Sequence, residues 1–261
     1  MIRLVTALAA EARPLVRHYR LRPSDGGPYP RFRGDDVEMV VSGVGSWASA
    51  AAVGYLAGSA PARHAGWVNF GIAGHRDATP GTVRLAHRVV RETDGRTWYP
   101  PAVFDPPCAT GTVRTVVDVE SEFADSDAVY EMEAGGFYPA AVRHATGEVV
   151  QVWKVVSDNA SSPPDRLTAK RIESLVEDNL ESLVRLIDSL GEVTAELAER
   201  PPATPDLQTF EERWRFSVTQ RRQLARLLQR LAVVSAAPVL VDDVVHLRSA
   251  KDVLENLRRR L

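Results

Sequence analysis

Residues 37–45 read Val37-Glu38-Met39-Val40-Val41-Ser42-Gly43-Val44-Gly45, and this stretch decides the fold class. Its valine-rich beginning predicts a strand, and the two glycines that follow predict a tight turn. A helix-like stretch of small and apolar residues comes next, from Trp47 to Ala57. A strand, a brief turn and a helix in this order are the repeating unit of an α/β fold.

The same unit recurs in both directions along the chain. Runs rich in β-branched residues predict strands at Ile2 to Ala7, Val37 to Val41, Trp67 to Phe70, Val83 to Val90, Val113 to Val119 and Val149 to Val156. Helices are predicted at Ala9 to His18, Trp47 to Ala57 and Ala134 to Ala145, with Pro14 in a first helical turn. We therefore predict a three-layer αβα fold with a central mixed, mostly parallel sheet and a C-terminal helical extension.

The C-terminal third of the sequence is helical in pattern. Apolar residues spaced by three or four predict a long amphipathic helix from Leu167 to Leu197, with a break at Gly191. Three prolines at 201, 202 and 205 then predict a boundary, so we expect a catalytic domain over residues 1–200 and an extension over 201–261. Helices are predicted in the extension from Phe210 to Val234 and, after a capping signal at Ser249, from Ala250 to Arg260.

Composition excludes several classes of function. The chain has 261 residues and a formal net charge of -2, so nothing in its overall charge indicates a nucleic-acid partner. Cys108 is the single cysteine, and the six histidines have no paired spacing, so we expect neither a disulfide nor a metal site nor a cofactor. The apolar opening is too short for a signal or membrane segment, and we expect a cytoplasmic protein without a membrane partner.

Unusual residues follow four of the predicted strands. They are Glu11, the turn Ser42-Gly43-Val44-Gly45, the turn Gly71-Ile72-Ala73-Gly74 and the group Ser157-Asp158-Asn159. Ligands of open α/β sheets bind at the carboxyl ends of the strands, and carboxylates across such a crevice can divide acid and base roles. Taken singly, each turn is more often plain and each Asp more often a helix cap, so only their combination points to a small polar substrate.

These pieces resemble the nucleoside phosphorylase and nucleosidase superfamily, and most closely its 5'-methylthioadenosine/S-adenosylhomocysteine nucleosidases. The similar segments span about residues 1–190. They are Leu4-Val5-Thr6-Ala7-Leu8-Ala9-Ala10-Glu11, Ser42-Gly43-Val44-Gly45, Asn69-Phe70-Gly71-Ile72-Ala73-Gly74, Pro80-Gly81-Thr82-Val83, Glu131-Met132-Glu133-Ala134 and Val155-Val156-Ser157-Asp158.

The resemblance implies a purine nucleosidase without a cofactor, acting on a 5'-modified adenosine as a homo-oligomer. It makes Asp158 the general acid at N7 of the base and Glu11 the group that deprotonates water. It makes Glu133 the ligand of the ribose hydroxyls, with Met132 packed against the sugar. The further substrate-binding residues that it implies are Gly43, Gly45, Gly71, Ala73, Gly74, Val119 and Ser157, and Phe123 or Phe137 is expected to stack on the base.

Three alternative functions depend on particular residues of the sequence. Asn69 and Ile72 stand where the phosphorylase branch often has an arginine and a hydroxyl residue, which favours water over phosphate, although His75 and Arg76 offer another anion site. The motif Gly43-x-Gly45-x-x-Ala48 matches a dinucleotide fingerprint, but no acidic residue lies between Glu38 and Asp77 to hold a ribose. A non-catalytic nucleoside sensor, or a binding role for the arginine-rich tail, is the third alternative.

Overall fold

The computed structural model describes residues 1–24, 26–59, 64–120, 123–125, 127–199, 206–234 and 239–261. The chain divides into two compact units, Met1–Ala198 and Glu199–Leu261. The proline cluster that predicts the domain boundary lies outside the described residues.

The first unit alternates strands and helices, as the sequence predicts. Its elements are β1 (Ile2–Thr6), α1 (Ala9–His18), β2 (Arg22–Pro23), β3 (Arg31–Arg33), β4 (Val37–Val41), α2 (Ser46–Ser59), β5 (Gly66–His75), β6 (Val83–Arg91), β7 (Thr97–Trp98), β8 (Thr110–Thr115), β9 (Ala128–Glu131), α3 (Ala134–Ala141), β10 (Val150–Asp158), α4 (Ala169–Asp178) and α5 (Leu180–Glu199). Single 3-10 turns lie at Gly147–Val149 and Pro164–Arg166.

Two apolar cores lie on the two faces of the sheet. Alternate residues of β1 show the division, because Ile2 and Leu4 pack in the core that contains α1, α4 and α5, whereas Val5 packs in the core that contains α2 and α3. This two-residue alternation is the pleat of a β-strand. The three-layer αβα class is therefore confirmed.

The sheet is mixed, and its centre is parallel. Strands β4, β1, β5 and β10 pair in parallel in that order. Beyond them β6 pairs antiparallel with β10, β8 pairs in parallel with β6 and with β9, and β9 returns antiparallel to the end of β5. Parallel pairing thus dominates the four central strands, while antiparallel pairs are as frequent over the described sheet as a whole.

The return of β9 to β5 positions the site. The long strand β5 pairs with β10 along most of its length, and its last residues, Gly74 and His75, pair with Tyr130 and Val129 of β9. Strands β5, β10, β6, β8 and β9 therefore form a closed circuit. The segment that leaves β9 is brought to the carboxyl ends of β1, β5 and β10.

Several boundaries differ from the sequence prediction. The strand predicted over Val113 to Val119 ends at Thr115, and the short strands β2, β3, β7 and β9 were not predicted. Pro14 lies inside α1, in its second turn. The long amphipathic segment breaks at Asn179, whose side chain donates to the Leu175 carbonyl at 2.9 Å, and not at Gly191. An asparagine side chain that bonds the backbone in this way competes with helix continuation.

The second unit is a small helical body with its own apolar core. Its helices are α6 (Leu207–Arg213), α7 (Val218–Val234) and α8 (Ala250–Arg259), with a 3-10 turn at Val241–Val244. The single helix predicted from Phe210 to Val234 is therefore two helices, because Ser217 and Gln220 exchange capping hydrogen bonds that begin a new one. The predicted cap at Ser249 is confirmed, since its hydroxyl accepts from the Asp252 N–H at 3.2 Å.

Helices α2 and α3 approach each other closely at Gly136, and this contact yields a stability prediction. A Cβ atom at Gly136 would overlap the backbone carbonyl of Ser46, so neither helix can relax locally. We expect Gly136→Ala to lower the free energy of unfolding by about 1–3 kcal/mol or more. Chemical denaturation monitored by circular dichroism measures the change.

Gly54→Ala in α2 is the matched control, because a Cβ there meets no atom within 4 Å. Its unfolding free energy should rise by up to about 1 kcal/mol, since alanine has the higher helix propensity. Equal stabilities of the two variants would contradict the close approach of α2 and α3.

Candidate active site

Glu11 lies in the first turn of α1 and is buried. Its carboxylate accepts hydrogen bonds from the Thr6 hydroxyl at 2.6 Å, from the Leu8 N–H at 2.8 Å and from the Ile72 N–H at 2.9 Å. A Cβ atom at Gly71 would lie 2.7 Å from Glu11 Oε1, so this glycine makes room for the carboxylate. The ends of β1 and β5 therefore hold Glu11 in one orientation.

Glu133 directly precedes α3, at the point where the chain leaves β9. Its Oε1 accepts from the Gly45 N–H at 3.0 Å, and the Ser46 hydroxyl donates to the carbonyl of Met132 at 3.2 Å. Gly43 and Gly45 have φ angles of +84° and +105°, which a residue with a Cβ rarely adopts. The glycine turn after β4 is thereby shaped to bring a backbone donor to Glu133.

Lys154 is one residue of this region that the sequence analysis missed. It is almost fully buried on β10, beside Gly71 in register, and its Nζ lies 2.8 Å from Glu131 Oε2 and 3.6 Å from Glu133 Oε2. Burial lowers the pKa of Lys154, but the charges of Glu131 and Glu133 outweigh it and raise the pKa above its usual value. A lysine inside the apolar run Val152-Trp153-Lys154-Val155-Val156 was a readable signal, because lysine is rarely buried without a partner.

Glu131 connects this lysine to the helix that follows. Its carboxylate accepts from the Thr115 hydroxyl at 2.5 Å and from the N–H groups of Glu133 and Ala134 at 3.0 and 2.9 Å. Backbone donors at the start of α3 are thus satisfied by a carboxylate, which the helix dipole also favours. Glu131 therefore orients both Lys154 and the chain that carries Glu133.

Burial and neighbouring charges shift the pKa of the Glu133 carboxyl group. Burial raises the pKa of Glu133, the Lys154 ammonium and the Gly45 N–H lower it, and the charges of Glu131 and Glu11 raise it further. The net direction is upward. Glu133 and Glu11 are thus close enough for their charges to interact.

Asp158 ends β10 and is buried beside the end of β5. Its Oδ1 accepts from the Ser157 hydroxyl at 2.5 Å, and the same hydroxyl lies 3.2 Å from the Ala73 carbonyl. A Cβ atom at Gly74 would lie 2.9 Å from Asp158 Oδ2, so Gly74 leaves room for the carboxyl group. Burial raises the pKa of Asp158 and the Ser157 hydrogen bond opposes the rise, with a net shift toward the protonated acid.

The carboxyl groups of Glu11, Glu133 and Asp158 border one cavity of about 210 Å³ at the carboxyl ends of the strands. Its walls are formed by Ala7, Leu8, Glu11, Val44, Ile72, Ala73, Gly74, Val116, Val119, Glu120, Tyr130, Glu131, Met132, Glu133, Ser157, Asp158, Pro164 and Leu167. Five of these residues are acidic, and none of the described wall residues is a lysine or an arginine. The described walls therefore offer carboxyl groups and no cationic side chain to a ligand.

Most of the predicted site residues meet at this cavity. Glu11, Asp158, Met132, Glu133, Ala73, Gly74, Val119 and Ser157 line it. Gly43, Gly45 and Gly71 lie behind the walls, where they shape the turns that hold Glu133 and Glu11.

The aromatic residue at the cavity is not one of the two phenylalanines that were expected to stack on the base. Phe137 lies in the core beneath the sheet and Phe123 packs edge-to-face on Tyr130 with ring centroids 5.5 Å apart. Tyr130, and not either phenylalanine, lines the cavity, together with the unpredicted Pro164 and Leu167. Tyr130 precedes the predicted Glu131-Met132-Glu133 motif by one residue, but its exposure to the cavity depends on the pairing of β9 with β5.

The described residues contain neither a candidate metal site nor a candidate membrane-spanning helix. No group of three or more histidine, cysteine or acidic side chains in that part of the chain is arranged to hold a metal ion. No described helix combines the length and the apolar character that crossing a bilayer demands.

Solved structures resemble this chain in fold, although no family profile and no curated protein sequence matches it. A mutant of the Helicobacter pylori MTAN with 5'-methylthioadenosine in its active site has a TM-score of 0.61 at 13% identity, covering 72% of this chain and 98% of its own. Futalosine hydrolase of Helicobacter pylori has a TM-score of 0.61 at 13% identity, with 72% and 97% covered.

A plant structure gives the same result. The Arabidopsis thaliana 5'-methylthioadenosine nucleosidase in apo form has a TM-score of 0.60 at 16% identity, covering 72% of this chain and 95% of its own. The resemblance drawn from the sequence motifs is thus confirmed at the level of the fold. The chain has the fold of the 5'-methylthioadenosine/S-adenosylhomocysteine nucleosidases and of futalosine hydrolase.

Proposed function

We propose that this chain is a nucleosidase that hydrolyses the N-glycosidic bond of a purine nucleoside, with a 5'-modified adenosine as substrate. One observation carries the proposal: Glu11, Glu133 and Asp158, far apart in sequence, line the same cavity at the strand ends. The solved structure with bound 5'-methylthioadenosine supports a substrate of this class.

Asp158 is the general acid in this proposal. Cleavage requires a proton on N7 of the purine, because the neutral base is a better leaving group than its anion. The raised pKa of Asp158 supports the role, since a carboxyl group must carry the proton that it donates. The Ser157 hydroxyl orients the group through Oδ1, which leaves Oδ2 to face the base.

Glu133 anchors the ribose through its 2'- and 3'-hydroxyls, and Met132 packs against the sugar. Positive charge develops at the anomeric carbon as the bond to the base breaks, and nearby carboxylates stabilise that charge. Lys154 balances only part of the negative charge of Glu131 and Glu133. The remaining negative charge favours the cationic transition state over the neutral nucleoside.

Glu11 orients the attacking water and takes its proton. The water oxygen bonds to the anomeric carbon, the bond from that carbon to the base nitrogen breaks, and Asp158 supplies the proton that the base gains. Three donors hold the Glu11 carboxylate and fix its direction toward the cavity. Two buried carboxyl groups thus do opposite jobs, as in inverting glycosidases.

Water is favoured over phosphate as the nucleophile because the cavity repels anions. Its described walls carry five acidic residues and no lysine or arginine, so a phosphate ion would enter without a counter-charge. The alternative anion site is occupied by local contacts, since His75 Nδ1 accepts from two backbone N–H groups and Arg76 pairs with Asp77 at 3.5 Å. Phosphorolysis therefore stays the second candidate.

The rim of the cavity supports an apolar group at the 5' position. Leu8, Val44, Val119 and Leu167 line it, and Val44 and Val119 are more than half exposed. Assembly into a homo-oligomer stays a prediction of the family resemblance.

Substituting Asp158 or Glu11 should lower turnover by orders of magnitude. We expect Asp158→Asn and Glu11→Gln each to lower kcat by about 10²–10⁴-fold while nucleoside still binds, because each loses one proton transfer. Release of free base from a panel of purine nucleosides, with and without phosphate, measures turnover, and the sugar product distinguishes ribose from ribose 1-phosphate. Glu196→Gln, an exposed change of equal charge on α5, is the control.

Near-normal turnover of Asp158→Asn would remove the acid role from this residue. Formation of ribose 1-phosphate would make the chain a phosphorylase. Binding of nucleoside without turnover in the unaltered protein would favour the alternative of a non-catalytic nucleoside sensor.

The pH dependence of kcat/KM should follow the protonated form of Asp158. Because burial raises its pKa above the ordinary value of 3.8, we expect kcat/KM to fall as pH rises through the raised pKa. The same titration should appear in stability: the unaltered protein should lose stability relative to Asp158→Asn as pH rises from 3.8 through that pKa. Urea denaturation across pH measures this, and a pH-independent difference would contradict the shift.

Loss of the substrate 2'-hydroxyl should be costly only while Glu133 is present. We expect the 2'-deoxy analogue to react with kcat/KM about 100-fold or more below that of the ribonucleoside, because a buried carboxylate is left without its partner. In Glu133→Ala both substrates should react equally slowly, whereas Glu196→Gln should keep the full ratio. Persistence of the ratio in Glu133→Ala would place the hydroxyl contact elsewhere.

A further inference from the structure

One exposed face of α7 carries three arginines at intervals of four residues. Arg222, Arg226 and Arg230 are exposed, while Leu224, Leu228 and other leucines on the opposite side pack in the core of the second unit. Four helical residues advance by about 6 Å, so the three guanidinium groups start from points spaced along one line. We call these three residues the arginine stripe.

Within the described residues the stripe has no acidic partner, unlike Arg221 and Arg259. Arg221 pairs with Glu211 at 2.5 Å and Arg259 pairs with Glu255 at 2.6 Å. Over the described ranges of the chain, no acidic side chain lies within ion-pair distance of Arg222, Arg226 or Arg230. Like charges at this helical spacing repel each other, so the stripe destabilises α7 unless something anionic covers it.

A groove lies beside the stripe, between α7 and α8. Its volume is about 310 Å³, and its walls are Gln223, Arg226, Leu227, Gln229, Arg230 and Arg258. The Arg258 guanidinium donates to Gln223 Oε1 at 3.0 Å, which fixes one edge of the groove. Leu227 gives the floor an apolar patch, and the same helix ends in Val233 and Val234, which are 79% and 68% exposed.

We infer that the arginine stripe and its groove bind an acidic amphipathic helix of a partner protein. Carboxylates spaced by four residues on such a helix repeat at the same interval of about 6 Å and match the guanidinium forks of the stripe. Apolar side chains on the same partner helix would cover Leu227 and Val233. The interaction is a helix-in-groove contact with a charged edge.

The composition of the unit favours this occupant over nucleic acid. Residues 206–261 carry 11 basic and 7 acidic residues, a net charge of only +4 by subtraction. Phe210 and Trp214 are buried in the core of the unit, so they are not available to stack on bases. A short charged groove with an apolar floor suits a peptide better than an extended polyanion.

Binding of a designed helical peptide to the full chain tests the inference. The probe is a fluorescent alanine-rich helix with Glu at three positions spaced by four residues and Leu at the apolar positions of the same face. A peptide with Gln in place of Glu is the comparison. We expect fluorescence anisotropy to show binding of the Glu peptide that weakens with salt, and at least tenfold weaker binding of the Gln peptide.

The triple variant Arg222→Glu, Arg226→Glu and Arg230→Glu should weaken binding of the Glu peptide at least tenfold. The triple variant Arg215→Glu, Arg248→Glu and Lys251→Glu is the matched control, because it makes the same charge change at exposed positions outside the stripe. Both variants should keep the circular dichroism spectrum and the thermal midpoint of a folded chain. Both should also keep the nucleoside turnover of the unaltered protein, which separates this test from that of the proposed function.

Four outcomes would overturn the inference. Equal binding of the Glu peptide by the stripe variant and the control variant would assign the effect to net charge, and absence of binding at millimolar peptide would remove the site. Tighter, stripe-dependent binding of a single-stranded oligonucleotide would make the partner a nucleic acid. Stripe-dependent self-association in sedimentation equilibrium would make the occupant a second copy of this chain.

Discussion

The ammonium group of Lys154 lies 2.8 Å from Glu131 and 3.6 Å from Glu133, and all three side chains are buried. Burying charges is costly, and partners with good geometry offset the cost only while they remain together. Removing one member typically costs about 3–5 kcal/mol in such clusters, because an uncompensated charge is left behind. The cluster therefore ties β10 to the start of α3 and fixes the carboxylate that borders the cavity.

Absent side chains are as important to the site as the charged ones. Gly71 leaves room for the Glu11 carboxylate, Gly74 leaves room for Asp158, and Gly136 lets α3 approach the backbone at the start of α2. The last contact brings the Gly45 N–H to 3.0 Å from Glu133. Tight backbone approach thus converts a sheet edge into a cavity whose acidic groups are held from several sides.

The central strands and the carboxyl groups that border the cavity could be predicted from the sequence because both depend on local pattern. Runs rich in β-branched residues marked β1, β4 and β10, and the carboxyl ends of parallel strands place Glu11 and Asp158 at one edge whatever the details of the loops. The resemblance to a known family supplied the proposed role of Glu133. The positions of Glu11 and Asp158 thus follow from local sequence patterns and from the rule that the carboxyl ends of parallel strands meet at one edge of the sheet.

The features that the sequence did not predict depend on pairing between strands that are far apart in the chain. Strand β9 has four residues, too few for a clear pattern, yet its pairing with β5 closes the sheet and presents Tyr130 to the cavity. The phenylalanines expected at the base were instead used in packing. Two other errors were avoidable: Lys154 stood out in an apolar strand, and Ser217-Val218-Thr219-Gln220 matches a capping box that divides the predicted helix.

The imbalance of buried charge unites the stability and the chemistry of the cavity. Three of its wall carboxyl groups, those of Glu11, Glu131 and Glu133, have one buried ammonium nearby, so when ionised they carry more negative charge than Lys154 compensates. A neutral nucleoside relieves little of this repulsion, whereas a sugar that becomes cationic relieves much more. Interactions that strengthen only in the transition state are the ones that raise kcat. Carboxylates that the fold already holds in place without full compensation can supply such interactions. In the proposed hydrolysis the same excess disfavours phosphate, so one electrostatic property would favour both the cationic sugar and water as its acceptor.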